Sequence, residues 1–424
     1  MGSKVFVIHP FLKIETKNPS FNPQDLLDEA CGLTEAINLE IIEKEMVSIS
    51  RVNSGTYIGK GVLERIRGIV AAGDIELVFI NHDVSPVQQR NLEKTLKTKV
   101  IDRTGLILEI FGARAQTAEG KLQVELASLI YQKSRLVKSW THLERQRGGF
   151  GFIGGPGESQ LEIDKRIIGE RIIKLKGEIA NVKRTRSLQR NARKKVPFPM
   201  VSLVGYTNTG KSTLFNRLTN SAVLVQDMLF ATLDPTLRLL KLPSGRQIIL
   251  SDTVGFISKL PHQLVAAFQA TLEEVLEASV ILHIRDISHS QTEFQNEEVH
   301  KVLKNIGHDD QKPLIEVLNK ADCLSLDQKD TLKNQIERAD FQVLTSALTG
   351  EGCHDVLKLI DDFLDIESTL KTYQIKHTQT EAIAWLFRHA NVKDQITEDE
   401  YTTVVVQITP EKSAQFEKKY LINL

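Results

Sequence analysis

The chain has 424 residues, 41% of them apolar, with 54 Lys plus Arg balanced by 54 Asp plus Glu. That length excludes a single small domain and calls for two to four cores, and the apolar content excludes a wholly disordered chain. A formal charge of zero argues at first against a nucleic-acid partner, but a total cannot show whether opposite charges are segregated along the chain.

From residue 4 to about 116, strand-like and helical runs alternate. KVFVI, MVSIS, ELVFI and GLILEIF read as strands, whereas the stretch through Leu26 and Ala36, GVLERIRGIV and VQQRNLEKTL read as helices. This alternation predicts a small open parallel sheet, an amino-terminal α/β domain over 1–116. Gly55, Gly59 and Gly61 in GTYIGKG precede one of the helices. Such a turn either cradles an anion at a helix N-terminus or only redirects the chain.

The next segment, 117–196, is of another kind. Leu122, Leu126, Leu129, Leu136, Trp140 and Leu143 form an apolar seam, and Ile168, Ile172, Leu175, Ile179 and Val182 form a second. Both have the spacing of packed helices. The glycine-rich break RGGFGFIGGPG between them predicts an antiparallel helical hairpin with the glycines at its tip. The neutral total resolves here: residues 133–200 carry 17 Lys or Arg against 6 Asp or Glu, a net of +11, so the remainder carries −11. The densest run is Lys183, Arg184, Arg186, Arg190, Arg193, Lys194 and Lys195, with no acid between 179 and 200. A solvated helix face is one reading. The one-signed run beside Arg145, Arg147, Phe150 and Phe152 also suits phosphate neutralisation and base stacking on RNA.

Pro197 and Pro199 mark a boundary. Over 197–365, MVSLV, RQIIL, VILHI, PLIEVL and FQVL read as strands. KSTLFNRL, a stretch through Leu264, Phe268 and Leu272, and a last run near Asp355 to Phe363 read as helices, giving a doubly wound domain. A small α+β domain over 366–424 follows, with strands YQIKH and YTTVVVQIT and helices around Ala382 to Arg388 and at the end. Nothing in it suggests catalysis.

Other features are quickly read. Cys31, Cys323 and Cys353 are distant, odd in number and without a C-x-x-C pair, which fits a reducing compartment and gives no metal signal. The eleven histidines contain no H-E-x-x-H. MGSKVFVIHP opens into a strand-like run rather than a leader, and Phe6 stands where myristoylation wants Ser or Thr. No apolar run approaches the roughly 20 residues that span a bilayer, so membrane insertion is not expected and a cytoplasmic protein is.

The chemistry is carried by four segments of the third domain. Gly205, Tyr206, Thr207, Asn208, Thr209, Gly210, Lys211, Ser212 and Thr213 form a phosphate loop between a strand and a helix. Its backbone N–H groups suit the β-phosphate, Lys211 the β- and γ-phosphate oxygens, and the Ser212 hydroxyl Mg²⁺. Asp252, Thr253, Val254 and Gly255 end the strand RQIIL, with Asp252 placed for Mg²⁺ and the Gly255 N–H for the γ-phosphate. Asn319, Lys320 and Asp322 end another strand. A carboxylate there accepts from both N1–H and N2–H₂ of guanine, a pair adenine lacks, which makes the nucleotide GTP. Ser346, Ala347 and Leu348 offer backbone N–H to guanine O6.

Between the first two segments lies FATLDPT, where Thr232, with Thr236 as runner-up, is the candidate for closing on Mg²⁺ and γ-phosphate. The catalytic set is therefore Lys211, Thr232 and Gly255, and the Mg²⁺ set Ser212, Thr232 and Asp252. Phe256 occupies the position where many signalling GTPases place a water-orienting glutamine, so slow intrinsic turnover is expected. Asn208 is either a K⁺ ligand or a loop-stabilising amide.

With these residues in view, the chain resembles the HflX family of translation-associated GTPases. The likeness rests on GTYIGKG, DRTGLILEIFGARA, GKLQVELASL, GGFGFIGGPGESQLE, GYTNTGKST, FATLDPT, DTVGFI and NKAD. Thr209, Ser159 and Arg285 depart from the family pattern, Arg285 interrupting a strand that is normally apolar. The resemblance implies binding of the large ribosomal subunit and its RNA by the amino-terminal domain and hairpin, ribosome-stimulated GTP hydrolysis, and separation of stalled or idle ribosomes or prevention of subunit joining. It also implies an ATP-related activity of the amino-terminal domain, where no phosphate loop is found. A monomer is expected. Two other readings are a GTP-regulated module recruiting a protein or membrane partner, and an ATP- or GTP-driven RNA remodeller, which Asp322 disfavours.

Overall fold

A computed structural model of the chain describes residues 2–15, 22–146, 160–193, 198–220, 229–230, 232, 235–258, 274–307, 314–339, 341–366, 369–398, 400–408 and 410–421. The architecture is α/β throughout, built on three sheets.

The first sheet is four-stranded and parallel, in the order β2 (Glu40–Ile49), β1 (Lys4–Leu12), β3 (Leu77–Ile80), β4 (Lys99–Asp102). Val5 to Ile8 are wholly buried because β1 is central and covered on both faces, the reason a parallel strand reads as a continuous apolar run. The helices are α1 (Pro23–Glu35), α2 (Lys60–Ala72), α3 (Pro86–Leu96) and α4 (Arg103–Arg114). α3 starts on a reciprocal capping box between Ser85 and Gln88. GTYIGKG leads into α2 through Gly59 as its N-cap, with no side-chain cap.

One expectation is overturned here. GLILEIF lies in α4, not in a strand; the strand is the preceding KVID. The Asp102 carboxylate accepts the Gly105 N–H at 2.8 Å and caps the helix, and Leu106, Ile107, Leu108, Ile110 and Phe111 are all buried. Its exposed face is narrow, at Glu109, Gly112 and Ala113, so the apolar run reads as nearly continuous and hides the 3.6-residue period.

α5 (Ala118–Gln146) and α6 (Gln160–Arg193) pack against each other. Ile172, Leu175 and Ile179 are buried, and Arg171 pairs with Glu125 at 2.7 Å. The root of α5 is fixed to the first sheet through Asp102, which accepts from Tyr131 Oη at 2.6 Å and pairs with Arg135. The glycine-rich tip, Lys194, Lys195 and Pro197 lie outside the described residues, as do the side chains of Trp140 and Leu143 and the stretch through Leu264, Phe268 and Leu272.

The second sheet has the order β10 (Gln342–Leu344), β9 (Leu314–Asn319), β8 (Val280–Asp286), β5 (Met200–Gly205), β7 (Gln247–Asp252), β6 (Thr236–Lys241). All neighbours are parallel except β6 on β7. The sequence reading missed β6. The chain leaves β5 for one side and returns to the other at β8, so β5 sits at the switch point where α/β sheets open a crevice. Its helices include α7 (Lys211–Thr219), α8 (Thr292–Asn305), α9 (Leu326–Ile336) and α10 (Cys353–Ile366).

The third sheet is antiparallel, β11 (Thr369–Lys376), β13 (Tyr401–Ile408), β12 (Asn391–Thr397), with α11 (Thr380–His389) and α12 (Pro410–Phe416) on it. Tyr373, Leu386, Val404, Val406 and Phe416 form its core, and β12 was not anticipated.

The first and second sheets share one apolar cluster that joins Leu27, Leu33 and Phe111 to Phe230, Phe256 and Ile257. Phe111 meets Phe230 edge to face at 4.8 Å between centroids. Among the described residues no helix is long and apolar enough to cross a membrane.

Candidate nucleotide site

The four expected segments follow β5, β7, β9 and β10 and converge at one end of the sheet, because all four strands run the same way. They enclose a cavity of about 420 Å³ lined by Thr207, Asn208, Gly210, Lys211, Ser212, Thr213, Thr232, Thr253, Gly255, Asn319, Lys320, Asp322, Ala347 and Leu348. Phe230 and Cys323 line it too and were not foreseen. Gly205, Tyr206, Thr209, Asp252, Val254 and Ser346 stand behind this lining.

The loop itself is held by close packing. Gly210 has φ +88°, and a Cβ there would fall 2.4 Å from Asn319 Nδ2, so glycine alone fits. Asn319 Nδ2 donates to Thr209 O at 2.8 Å while its Oδ1 accepts the Ala347 N–H at 2.9 Å. One amide therefore ties the phosphate loop to the segment after β10. Phe256 N donates to Gly205 O at 3.0 Å and Thr207 N to Phe256 O at 2.7 Å, which fixes Gly255 beside the loop. A Cβ on Gly255 would meet Thr207 Cα at 2.9 Å and Lys211 Nζ at 3.1 Å.

Lys211 is buried and donates to Gly205 O at 3.1 Å and Tyr206 O at 2.5 Å. Burial pulls its ammonium down to about 8, with Asp252 opposing. Ser212 Oγ, Thr232 Oγ1 and Asp252 Oδ2 form a triangle: Ser212 to Asp252 2.7 Å, Thr232 to Asp252 2.9 Å and Ser212 to Thr232 2.8 Å. Asp252 Oδ1 is buried with no hydrogen-bond partner among the described residues. Two hydroxyls, a carboxylate and a spare buried acceptor are the oxygen donors a hard dication takes. Burial raises the Asp252 carboxyl and the Ser212 hydrogen bond opposes. Thr236, the runner-up, begins β6 in register with Asp252 across the β6–β7 pair.

At the other end of the cavity Asp322 accepts from Ser346 Oγ at 2.5 Å, which lowers its carboxyl. Lys320 pairs with Asp286 at 2.7 Å. Asn208 stands exposed at the loop crest with φ +59°, and its side chain has no hydrogen bond to a described residue. Phe256 is 4% exposed and belongs to the shared apolar cluster, so it offers nothing to a water molecule.

The sequence reading also missed a buried polar network that meets the loop from the amino-terminal domain. Tyr206 Oη donates to Glu29 Oε2 at 2.5 Å and accepts the Ser258 N–H at 2.8 Å. Arg103 pairs with Glu29 at 2.6 Å and donates to Ser258 O at 3.0 Å and Asn81 Oδ1 at 2.6 Å. Tyr206 thus turns its ring away from the cavity, and burial together with Glu29 raises its hydroxyl well above the ordinary range. The one available signal was a tyrosine inside a phosphate loop. Its partners lie far away in sequence. Arg285 is resolved as well: it is buried and pairs with Glu293 at 2.5 Å and Glu316 at 3.4 Å.

Four family models match. They are described as GTP-binding GTPase N-terminal over residues 24–112, GTP-binding GTPase Middle Region over 114–193, 50S ribosome-binding GTPase over 200–320 and HflX C-terminal domain over 331–422. The chain is 47% identical over 390 residues to GTPase HflX of Magnetococcus marinus, covering 91% of this chain and 89% of that one. It is 42% identical over 349 residues to GTPase HflX of Escherichia coli, covering 82% and 81%. Among solved structures it is similar to SsGBP in complex with GDP, with TM-score 0.50 and 24% identity over 86% of this chain and 98% of that one, a likeness that bears on the fold alone.

Proposed function

The chain belongs to the HflX family of GTPases, and on that premise we propose that it is a GTP-driven switch that binds the large ribosomal subunit and separates stalled or idle ribosomes or blocks subunit joining. The observation that carries this reading is α6, a 34-residue helix whose last third bears one sign of charge. Such a run of charge suits phosphate neutralisation and contains no acid to repel the phosphates.

In the hydrolysis reaction the chain acts by positioning and by charge. Lys211 neutralises β- and γ-phosphate oxygens, and the backbone N–H groups of Thr207 to Thr213 wrap the β-phosphate at the start of α7. Ser212, Thr232 and Asp252 would hold Mg²⁺, which when bound would neutralise phosphate charge. Thr232 and the Gly255 N–H close on the γ-phosphate and report its loss after hydrolysis. Asp322 accepts from the guanine N1–H and N2–H₂, while the N–H groups of Ser346, Ala347 and Leu348 face O6. Asn208, whose amide bonds no described residue, is the candidate K⁺ ligand. Phe256 leaves water orientation to a group contributed on the ribosome, which accounts for stimulated turnover. We place the protein in the cytoplasm as a monomer in solution.

The test is co-sedimentation with purified large subunits across a salt series, alongside GTPase rates. Steep salt dependence with stimulation is expected. Large subunits that neither bind nor change the rate would sink the reading.

A further inference from the structure

On the face of the second sheet covered by α8 lies a polar cluster that nucleotide chemistry does not use. His283 on β8 and Glu316 on β9 are register partners in adjacent parallel strands, so their side chains share a face. His300 on α8 stands over them, its ring edge-on to His283 with centroids 5.6 Å apart. One ligand atom from each of the three lies within 4.8 Å of the other two. We propose that His283, His300 and Glu316 form a binding site for a transition-metal dication of the Zn²⁺ class.

Three observations support it. His283 is 1% exposed and its Nδ1 is buried without a hydrogen-bond partner among the described residues. An unpaired ring nitrogen in a sheet core costs free energy unless something accepts its lone pair or proton.

The carboxylate is braced as metal-ligating carboxylates are. Gln342 Nε2 donates to Glu316 Oε2 at 2.8 Å, and Arg285 reaches both oxygens at 3.4 Å. The Arg285 charge is offset by its 2.5 Å pair with Glu293, so two carboxylates face one guanidinium and the cluster retains a negative charge for a cation. Finally, His300 is exposed, which gives an entry path from solvent. Two imidazoles and a carboxylate with solvent in the fourth position suit Zn²⁺, Co²⁺ or Ni²⁺ and not Mg²⁺, which prefers oxygen donors. Occupation would tie α8 to β9 three residues ahead of Asn319, outside the nucleotide cavity.

The experiment uses the full chain, stripped of transition metals by chelation and then loaded with Mg²⁺ and GDP so that the nucleotide site is filled. Co²⁺ is titrated and its visible d–d absorption followed, and Zn²⁺ is then added as competitor. One equivalent of Co²⁺ should give the band and Zn²⁺ should abolish it. His300→Ala, at an exposed helix position, should keep its circular dichroism and lose affinity by about 100-fold or more. Glu316→Gln should weaken the band as well. No band at one equivalent overturns the proposal, and so does a band of equal affinity in His300→Ala.

Discussion

Arg103→Ala tests whether the amino-terminal domain and the GTPase domain are locked together by charge in a dry interface. The Arg103 side chain is 4% exposed and that of Glu29 12%, and the pair is separated by 2.6 Å. Truncation leaves Glu29 with Tyr206 Oη as its one hydrogen-bond partner among the described residues and takes a donor from Asn81 Oδ1 and Ser258 O. Breaking a buried pair in this way costs about 3–5 kcal/mol, because a charge is left in a poor solvent. Arg65→Ala is the control. Arg65 also pairs with a carboxylate, Glu45, but is itself 50% exposed, and surface pairs of this kind are worth about 0–1 kcal/mol. In urea unfolding followed by circular dichroism, with a slope of about 2–3 kcal/mol per M, Arg103→Ala should lower the midpoint by roughly 1–2.5 M. Arg65→Ala should move it by less than about 0.5 M. Equal shifts for the two variants would refute the argument that burial sets the value of this contact.

Other expectations concern the nucleotide. Lys211 has a folded-state value of about 8, below its ordinary 10.5, so without ligand it loses its proton as pH rises through 8. Its burial penalty is therefore present below pH 8 and relieved between 8 and 10.5, so the nucleotide-free protein gains stability across that window. GTP needs the ammonium, so affinity read with a fluorescent GTP analogue should fall above pH 8, and Lys211→Arg should bring that fall to an end. Asp322→Asn should cost GTP about 1.5–3 kcal/mol, a tenfold to hundredfold loss, while leaving ATP affinity unchanged, as competition binding would show. Gly255→Ala must push Thr207 or Lys211 aside, since its Cβ would sit 2.9 Å from Thr207 Cα; a drop in single-turnover rate exceeding the drop in GDP affinity is expected.

How far the sequence carried this account depended on the range of the forces involved. The phosphate loop, Asp252, Asn319 and Asp322 were legible because each lies at a strand end whose apolar run is local and continuous. α4 imitates a buried strand in the sequence because Leu106, Ile107, Leu108, Ile110 and Phe111 are all buried and Glu109 alone interrupts them, too short a run to display the helical period. β6 escaped because it is an edge strand with Leu239 exposed, held by pairing with β7 and not by its own pattern. β12 is similar, a mostly polar strand, NVKDQIT, defined by its partner β13. The Tyr206–Glu29–Arg103–Ser258 network spans contacts of up to 177 residues in sequence, and no spacing rule reaches that far. Arg285, an oddity in a strand, proved to be paired with Glu316, an equal oddity in the next one.

The central claim, that a one-signed helix docks this GTPase on ribosomal RNA, is tested most directly by the salt dependence of large-subunit binding for the native chain and for a variant with Lys183, Arg184, Arg186 and Arg190 changed to Gln. Each phosphate contact contributes about 0.7–0.9 to the slope of log K against log salt, so losing four should flatten it by about 3 and weaken binding at low salt. GTP affinity in solution should stay unchanged. Identical slopes for the two proteins would contradict the account.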